Sequence, residues 1–294
     1  MRKLLVTVFL LAVGLLIPGC HPLPQREQTA SITVVSTIFP VSDILCNLAG
    51  DTVAVSSLLP PGASPHTFEP SIDQVKSISS ARLLVCVGAG LDSWSLKLAD
   101  ATEPPILIIE LASLANLETN LELGTDPHFW LDPLIVRDTI CPLLAKELTN
   151  LLPEKKDEIQ SNLNCYQGEL TALDQEIRSV TTAFRQRKFI SLHAAWKYFA
   201  RRYDLEEVEV VTGSPGQEPS AGWVTEIIDT VINNNVGAIF AEPQLSLRLA
   251  ERIAEETGAK LFVLDPLGGP QLPGRGSYLD LMRYNLNIFK AALN

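Results

Sequence analysis

The chain contains only four histidines, and three of them share one kind of position. His66 stands in Pro60-Pro61-Gly62-Ala63-Ser64-Pro65-His66-Thr67-Phe68-Glu69-Pro70. His128 stands in Gly124-Thr125-Asp126-Pro127-His128-Phe129-Trp130-Leu131-Asp132-Pro133. His193 follows the apolar run Phe189–Leu192 and opens a helical pattern over Ala194–Tyr203. Asp265 closes a second apolar run, Leu261–Leu264, and precedes Pro266-Leu267-Gly268-Gly269. Each is read at the C-terminal end of a strand or in the loop before a helix, the edge at which open α/β sheets bind ligands. Imidazole suits zinc, copper, iron and nickel, and a carboxylate adds a harder oxygen. Three histidines and one aspartate match the tetrahedral count of a zinc site. There is no His-Glu-x-x-His, so the ligands come from four separate loops, two in each half of the chain, and a bound metal would hold the halves together. The fourth histidine, His21, sits in a proline-containing N-terminal stretch.

The elements that must position these loops are legible as alternating patterns. Strand-like runs cover Ile32–Ser36, Val53–Leu59, Leu83–Val87 and Ile106–Glu110, then Phe189–Leu192, Val208–Thr212, Ala238–Ala241 and Leu261–Leu264. Helical patterns lie between them, including Val41–Ala49, Ser71–Ala81, Ala221–Asn233, Leu245–Thr257 and Ser277–Leu293. Continuous apolar strands alternating with helices predict parallel sheets covered on both faces. Residues 154–186 form the longest helical pattern, with apolar residues at Ile159, Leu163, Tyr166, Leu170, Leu173, Ile177, Val180 and Phe184, spaced by three and four. The expected organisation is α/β: a lobe over 32–153, a connecting helix over 154–186 and a second lobe over 187–294. Gly213 and Gly258 are read as stops or turns, and the pair Gly268-Gly269 as a turn.

Composition narrows the function. Of 294 residues, 46% are hydrophobic and 19% charged, enough to bury a real core. The formal charge is −11 and there is no basic run, which excludes nucleic acid as a partner because phosphate contacts need clustered Lys and Arg. Arg2 and Lys3 followed by the apolar run Leu4–Leu16 read as a signal segment over 1–19, too short to span a bilayer. Ile17-Pro18-Gly19-Cys20 resembles a lipobox, so Cys20 is the expected lipid attachment site and 20–31 a tether. The protein is then extracytoplasmic and anchored to a bacterial membrane, where disulfides can form. Residues 134–152 also read as a helix, and Cys141 and Cys165 each lie twelve residues from Pro153, level in an antiparallel helical hairpin, so a disulfide between them is an expectation. Cys46 and Cys86 sit in apolar stretches and read as buried thiols.

The same motifs carry a family resemblance. PPGASPHTFEPS, DPHFWLDP, SLHAAWKYFARRYDL and AIFAEPQLSLRLAERIAEETGAKLFVLDPLGG, with Glu218-Pro219-Ser220, resemble the metal-binding lipoproteins of bacterial zinc and manganese ABC importers, the cluster A-I or zinc-uptake class. The resemblance implies a C-clamp of two Rossmann-like lobes joined by one long rigid helix. It implies metal ligands at His66, His128, His193 and Asp265, Zn2+ or Mn2+ as cargo, a membrane-embedded permease as partner, a monomer and no catalysis. Manganese members commonly carry Glu at the third ligand, so His193 favours zinc, although residues 112–124 lack the histidine-rich loop of many zinc members. Glu69 and Asp132 are read as acceptors for a ligand imidazole or as helix caps, and Glu242 as a candidate near the metal. Trp130 and Trp196 are expected to exclude water beside the site. A zinc hydrolase, with Glu242 as its base, and an adhesin are the remaining alternatives.

Overall fold

A computed structural model describes residues 32–117, 126–212 and 219–294. The signal segment, Cys20, the tether, Gly124, Thr125, Gly213 and Glu218 lie outside the described residues. Among those described, eight strands form two four-stranded parallel sheets. The first takes β1 (Ile32–Ser36), β2 (Val53–Ser57), β3 (Leu83–Cys86) and β4 (Leu107–Glu110) in the order β2-β1-β3-β4. The second takes β5 (Lys188–His193), β6 (Glu206–Thr212), β7 (Ala238–Ala241) and β8 (Lys260–Val263) in the order β6-β5-β7-β8. All pairings are parallel, and β3 and β7 are buried along their whole length, as doubly covered strands must be.

The first half carries helices α1 (Phe39–Ala49), α2 (Ile72–Ser79), α3 (Ser93–Ala99), α4 (Leu111–Leu114), α5 (Pro133–Ile135) and α6 (Cys141–Leu151). The long α7 (Lys156–Thr182) follows, then α8 (Lys197–Arg202), α9 (Ala221–Asn233), α10 (Arg248–Thr257) and α11 (Tyr278–Leu293). Local chemistry starts and stops them. Ser71 and Gln74 form a reciprocal capping box on α2, Ser277 caps α11 through Asp280 N, and Gly258, at φ +74°, ends α10 in the left-handed conformation.

Helix α7 buries the stripe foreseen from its spacing, from Ile159 through Leu163, Tyr166, Leu170 and Leu173 to Ile177. It ends at Thr182 rather than 186, because Arg185 N and Gln186 N turn away to donate to Leu293 O at the end of α11. It docks on both halves. Asn162 Nδ2 donates to Leu48 O of α1 and Gln167 Nε2 to Arg137 O, whereas Asp174 accepts from Tyr203 Oη and Glu176 from Arg283 Nε of α11. The largest hydrophobic cluster accordingly spans both halves, with Val34, Ile44 and Leu144 in one continuous core with Phe189, Phe199 and Phe289. No helix of the described residues is long and apolar enough to cross a membrane.

Two sequence expectations about cysteine fail. Cys141 and Cys165 are both free thiols: Cys141 is buried under the core face of α6, whereas Cys165 is exposed on the face of α7 opposite to its buried stripe. Equal distance from Pro153 fixes height but not rotation about the helix axis, and the turns over Val136–Ile140 are π-helical rather than α-helical, which also shifts the facing. Cys46 is exposed, not buried, because α1 turns Ile44, Leu45 and Leu48 inward instead.

The halves are also tied by charge. Asp132, 4% exposed, receives Arg202 Nε at 2.9 and 2.8 Å from its two oxygens, and caps α5 through Leu134 N. Removing one partner of such a pair strands a buried charge, so Arg202→Met is expected to lower the unfolding free energy in urea by about 2–3 kcal/mol. Asp132→Asn combined with Arg202→Met is expected to recover part of that loss. In native protein, maleimide is expected to label Cys46 and Cys165, with Cys86 and Cys141 reacting only after denaturation and no Cys141–Cys165 cross-linked peptide in a non-reducing digest.

Candidate metal centre

The order of each sheet reverses at one point, between β1 and β3 in the first and between β5 and β7 in the second. At such a point the two following loops part and leave a crevice. In the second sheet the crevice is flanked by His193, the last residue of β5, and Glu242, the first after β7. They meet directly: His193 Nδ1 lies 3.1 Å from Glu242 Oε2, and Trp196 Nε1 donates to Glu242 Oε1 at 3.3 Å. In the first sheet the crevice holds Asp92, which accepts from Thr37 Oγ1, Val87 N and Gly88 N. The helix it opens, α3, presents Trp94, whose Nε1 donates to Pro65 O at 3.0 Å and so pins the loop that carries His66.

His128 is reached differently from the sequence expectation. The last described element before it is α4, not a strand, and the residue lies just ahead of a 3-10 turn over Phe129–Leu131. Its ring is set by Asp126, whose Oδ1 accepts from His128 N at 3.0 Å and lies 2.7 Å from His128 Nδ1. The loop is fixed to the other half of the molecule. Trp130 Nε1 donates to Pro266 O at 2.8 Å, and Tyr278 Oη donates to Trp130 O at 2.7 Å.

These constraints bring the three histidines together. The ring centroids of His66, His128 and His193 are 5.4, 4.9 and 4.9 Å apart, and a ligand nitrogen from each lies within 4.8 Å of the other two. A carboxylate only accepts hydrogen bonds, so Asp126 and Glu242 put the proton of His128 and of His193 on Nδ1 and leave each Nε2 with a free lone pair. His128 Nε2 faces His66 Nε2 at 3.4 Å. Burial, and then the opposing charge that His128 and His193 would carry, push the His66 pKa down to about 3. His66 is therefore neutral at physiological pH, as a metal ligand must be. The cavity the three rings share, lined also by Trp130 and Gln244, has a volume of about 10 Å³, room for one water-sized particle. The donor set and the size fit a single divalent ion held by imidazole.

Asp265 is placed beside this group but not in it. Among the described residues, only the three histidines have ligand atoms mutually within 4.8 Å. The Asp265 carboxylate, 1% exposed, is already occupied: Oδ1 accepts from Leu267 N, Gly268 N and Gln244 Nε2, each at 3.0 Å, and Oδ2 from Arg275 Nη1 at 2.7 Å. Gly268, at φ +64°, makes this turn, and a Cβ there would lie 2.8 Å from Arg275 O.

The other residues sort themselves. Asp132 touches no ligand ring and serves as cap and ion-pair partner, and Glu69 is exposed. Trp130 lines the cavity, while Trp196 is fully buried behind Glu242. Sequence reasoning missed Asp126 as the orienting carboxylate. Its signal was its place two residues before His128, close enough for one carboxylate to hold both the backbone and the ring of the same residue.

Comparison with known proteins agrees with this geometry. Residues 34–292 match the family described as zinc-uptake complex component A, periplasmic. The zinc-binding lipoprotein AdcA of Streptococcus pneumoniae is 28% identical over 284 residues, covering 90% of this chain. This chain spans about half the length of that relative, 56%. The manganese-binding lipoprotein MntA of Halalkalibacterium halodurans is 23% identical and aligned over the full length of both chains. A crystal structure of ZnuA superposes with a TM-score of 0.79 at 32% identity, covering 90% of this chain and 99% of its own. The chain belongs to the zinc-uptake complex component A family.

Proposed function

We propose that this chain is the zinc-binding lipoprotein of an ABC importer, capturing Zn2+ through Nε2 of His66, His128 and His193 and presenting it to a membrane permease. The observation that carries this reading is the convergence of three imidazoles on a cavity sized for one small particle. Zinc is the cargo because all three nitrogens are borderline ligands suited to it, whereas Mn2+ prefers carboxylate and water oxygens. Cys20, once lipidated, would hold the binding domain at the membrane surface on the 20–31 tether, within reach of the permease. Manganese is the second reading, motivated by the manganese-binding relative.

The deciding experiment offers the purified mature chain mixed Zn2+ and Mn2+ at buffered free concentrations and weighs the bound metal by native mass spectrometry. One zinc per chain supports the reading; preferential manganese moves the chain to the second; no bound metal sinks both. Ala at His66, His128 or His193 is expected to weaken zinc binding by about a hundredfold or more in competition with a chromogenic chelator, since each removes a third of the imidazole set. Asp126→Ala and Glu242→Gln keep every imidazole but release a ring, and are expected to weaken zinc binding by about ten- to a hundredfold.

A further inference from the structure

We propose that a second cavity, in the second half of the chain, is an anion site that takes a small organic polycarboxylate through Arg248, Arg252 and the first turn of α10.

The cavity opens at the C-terminal ends of β5 and β6, where Leu192 and Thr212 line it, between the first turns of α9 and α10. Its volume is about 710 Å³, against about 10 Å³ for the one at the histidines, and none of the three histidines lines it. Small-molecule sites are roughly 300–1,000 Å³, apolar for the most part, with a few polar groups that fix the ligand. The walls here have that character. Leu192, Val224 and Leu249 supply apolar surface, and Ser64 and Thr67 bring two hydroxyls from the first half, neither with a hydrogen-bond partner among the described residues.

Charge names the ligand. The chain carries a formal charge of −11, yet no carboxylate lines this cavity, and its charged lining residues are Arg248 and Arg252. The Arg248 guanidinium has no partner among the described residues. Arg252 Nε donates to Glu256 Oε1 at 2.8 Å, an exposed pair that contributes little and is readily exchanged. The two arginines stand four positions apart on α10, so they rise from one helix face with Cβ atoms about 5–6 Å apart. Helix α10 also opens without a side-chain cap, which leaves the N–H groups of its first turn and the positive end of its dipole beside the cavity. Each guanidinium fork matches one carboxylate in two parallel hydrogen bonds. A monocarboxylate would satisfy one of these three positive loci. A molecule with two or three carboxylates on a short carbon frame satisfies them together, with its frame against Leu192, Val224 and Leu249. Such a ligand touches both halves of the molecule, because Ser64 and Thr67 close the cavity from the other side.

The test titrates citrate, as the polycarboxylate probe, and inorganic phosphate separately into the metal-free mature chain by isothermal calorimetry. Citrate is expected to bind with a Kd of about 1 mM or tighter and to raise the thermal midpoint, as any ligand of the native state must. Phosphate, which lacks the carbon frame and the second charge, is expected to bind at least about tenfold more weakly. Arg248→Met is expected to weaken citrate about tenfold or more while the thermal midpoint without citrate stays near wild type, because the side chain it removes is exposed and unpaired. Ser246→Asp, which adds a carboxylate to the exposed rim of the cavity, is expected to weaken citrate as much or more. His66→Ala is expected to leave citrate binding within about twofold, since its ring is not part of this cavity. Absence of citrate binding, or citrate binding untouched by both Arg248→Met and Ser246→Asp, would overturn the inference. Phosphate binding as tightly as citrate would overturn the polycarboxylate class. A chain that binds citrate but no metal would overturn the proposed function and leave this site standing; a chain that binds zinc but no citrate would do the reverse.

Discussion

The structure depends on holding three imidazole lone pairs against one another. His66, His128 and His193 sit within 5.4 Å of each other, centroid to centroid, in a largely buried pocket. Left free, such rings would swing apart. Asp126 and Glu242 occupy the Nδ1 edges of two of the rings, so those rings cannot rotate without losing a charge-assisted hydrogen bond. His66, held by the stiff proline-rich loop and by Trp94 on Pro65, is the one whose protonation burial most opposes. The mutual repulsion of the lone pairs is relieved by a cation at the centre.

Everything outside the pocket reads as support for that arrangement. A parallel sheet sends all its strands toward one edge, and the reversal of strand order opens a crevice there. Two sheets provide two such edges, and the ligands are shared between them. The price is that the halves must be held in fixed relation. One continuous hydrophobic core, the length of α7 docked on both halves, the Asp132–Arg202 pair and the Trp130–Pro266 hydrogen bond all supply it. These contacts oppose wide separation of the lobes.

The repeating parts of the fold were legible because they depend on near neighbours. Strand-like runs of four to seven residues matched all eight strands to within a few residues, and spacings of three and four matched the buried stripe of α7. The three histidines were legible because their types are rare in this chain and their surroundings follow the strand–loop–helix grammar, even though His128 follows no described strand directly. What failed was whatever needs a rotation or a distant partner. The Cys141–Cys165 expectation counted residues along two helices without knowing which way each faced. The reading of Asp265 as a ligand stands as a proposal, and nothing near it in sequence reveals that Gln244 and Arg275 meet its carboxylate. Asp132 was weighed as an imidazole acceptor or a helix cap; it is the cap, and its further partner, Arg202, lies seventy residues on.

The placement of charge bears on which ion such a pocket prefers and how it lets go. Carboxylates surround the histidines at one remove: Asp126 behind His128, Glu242 behind His193, Asp265 behind Gln244. The hydrogen bonds accepted by Asp126 and Glu242 polarise the imidazoles of His128 and His193. Imidazoles whose far edges rest on carboxylates become stronger donors, which favours an ion that forms well-directed bonds to nitrogen over one held mainly by charge. Direct carboxylate ligation would favour a hard ion such as Mn2+ more than zinc. It would also place at the site a charged oxygen that has to be resolvated each time an ion leaves.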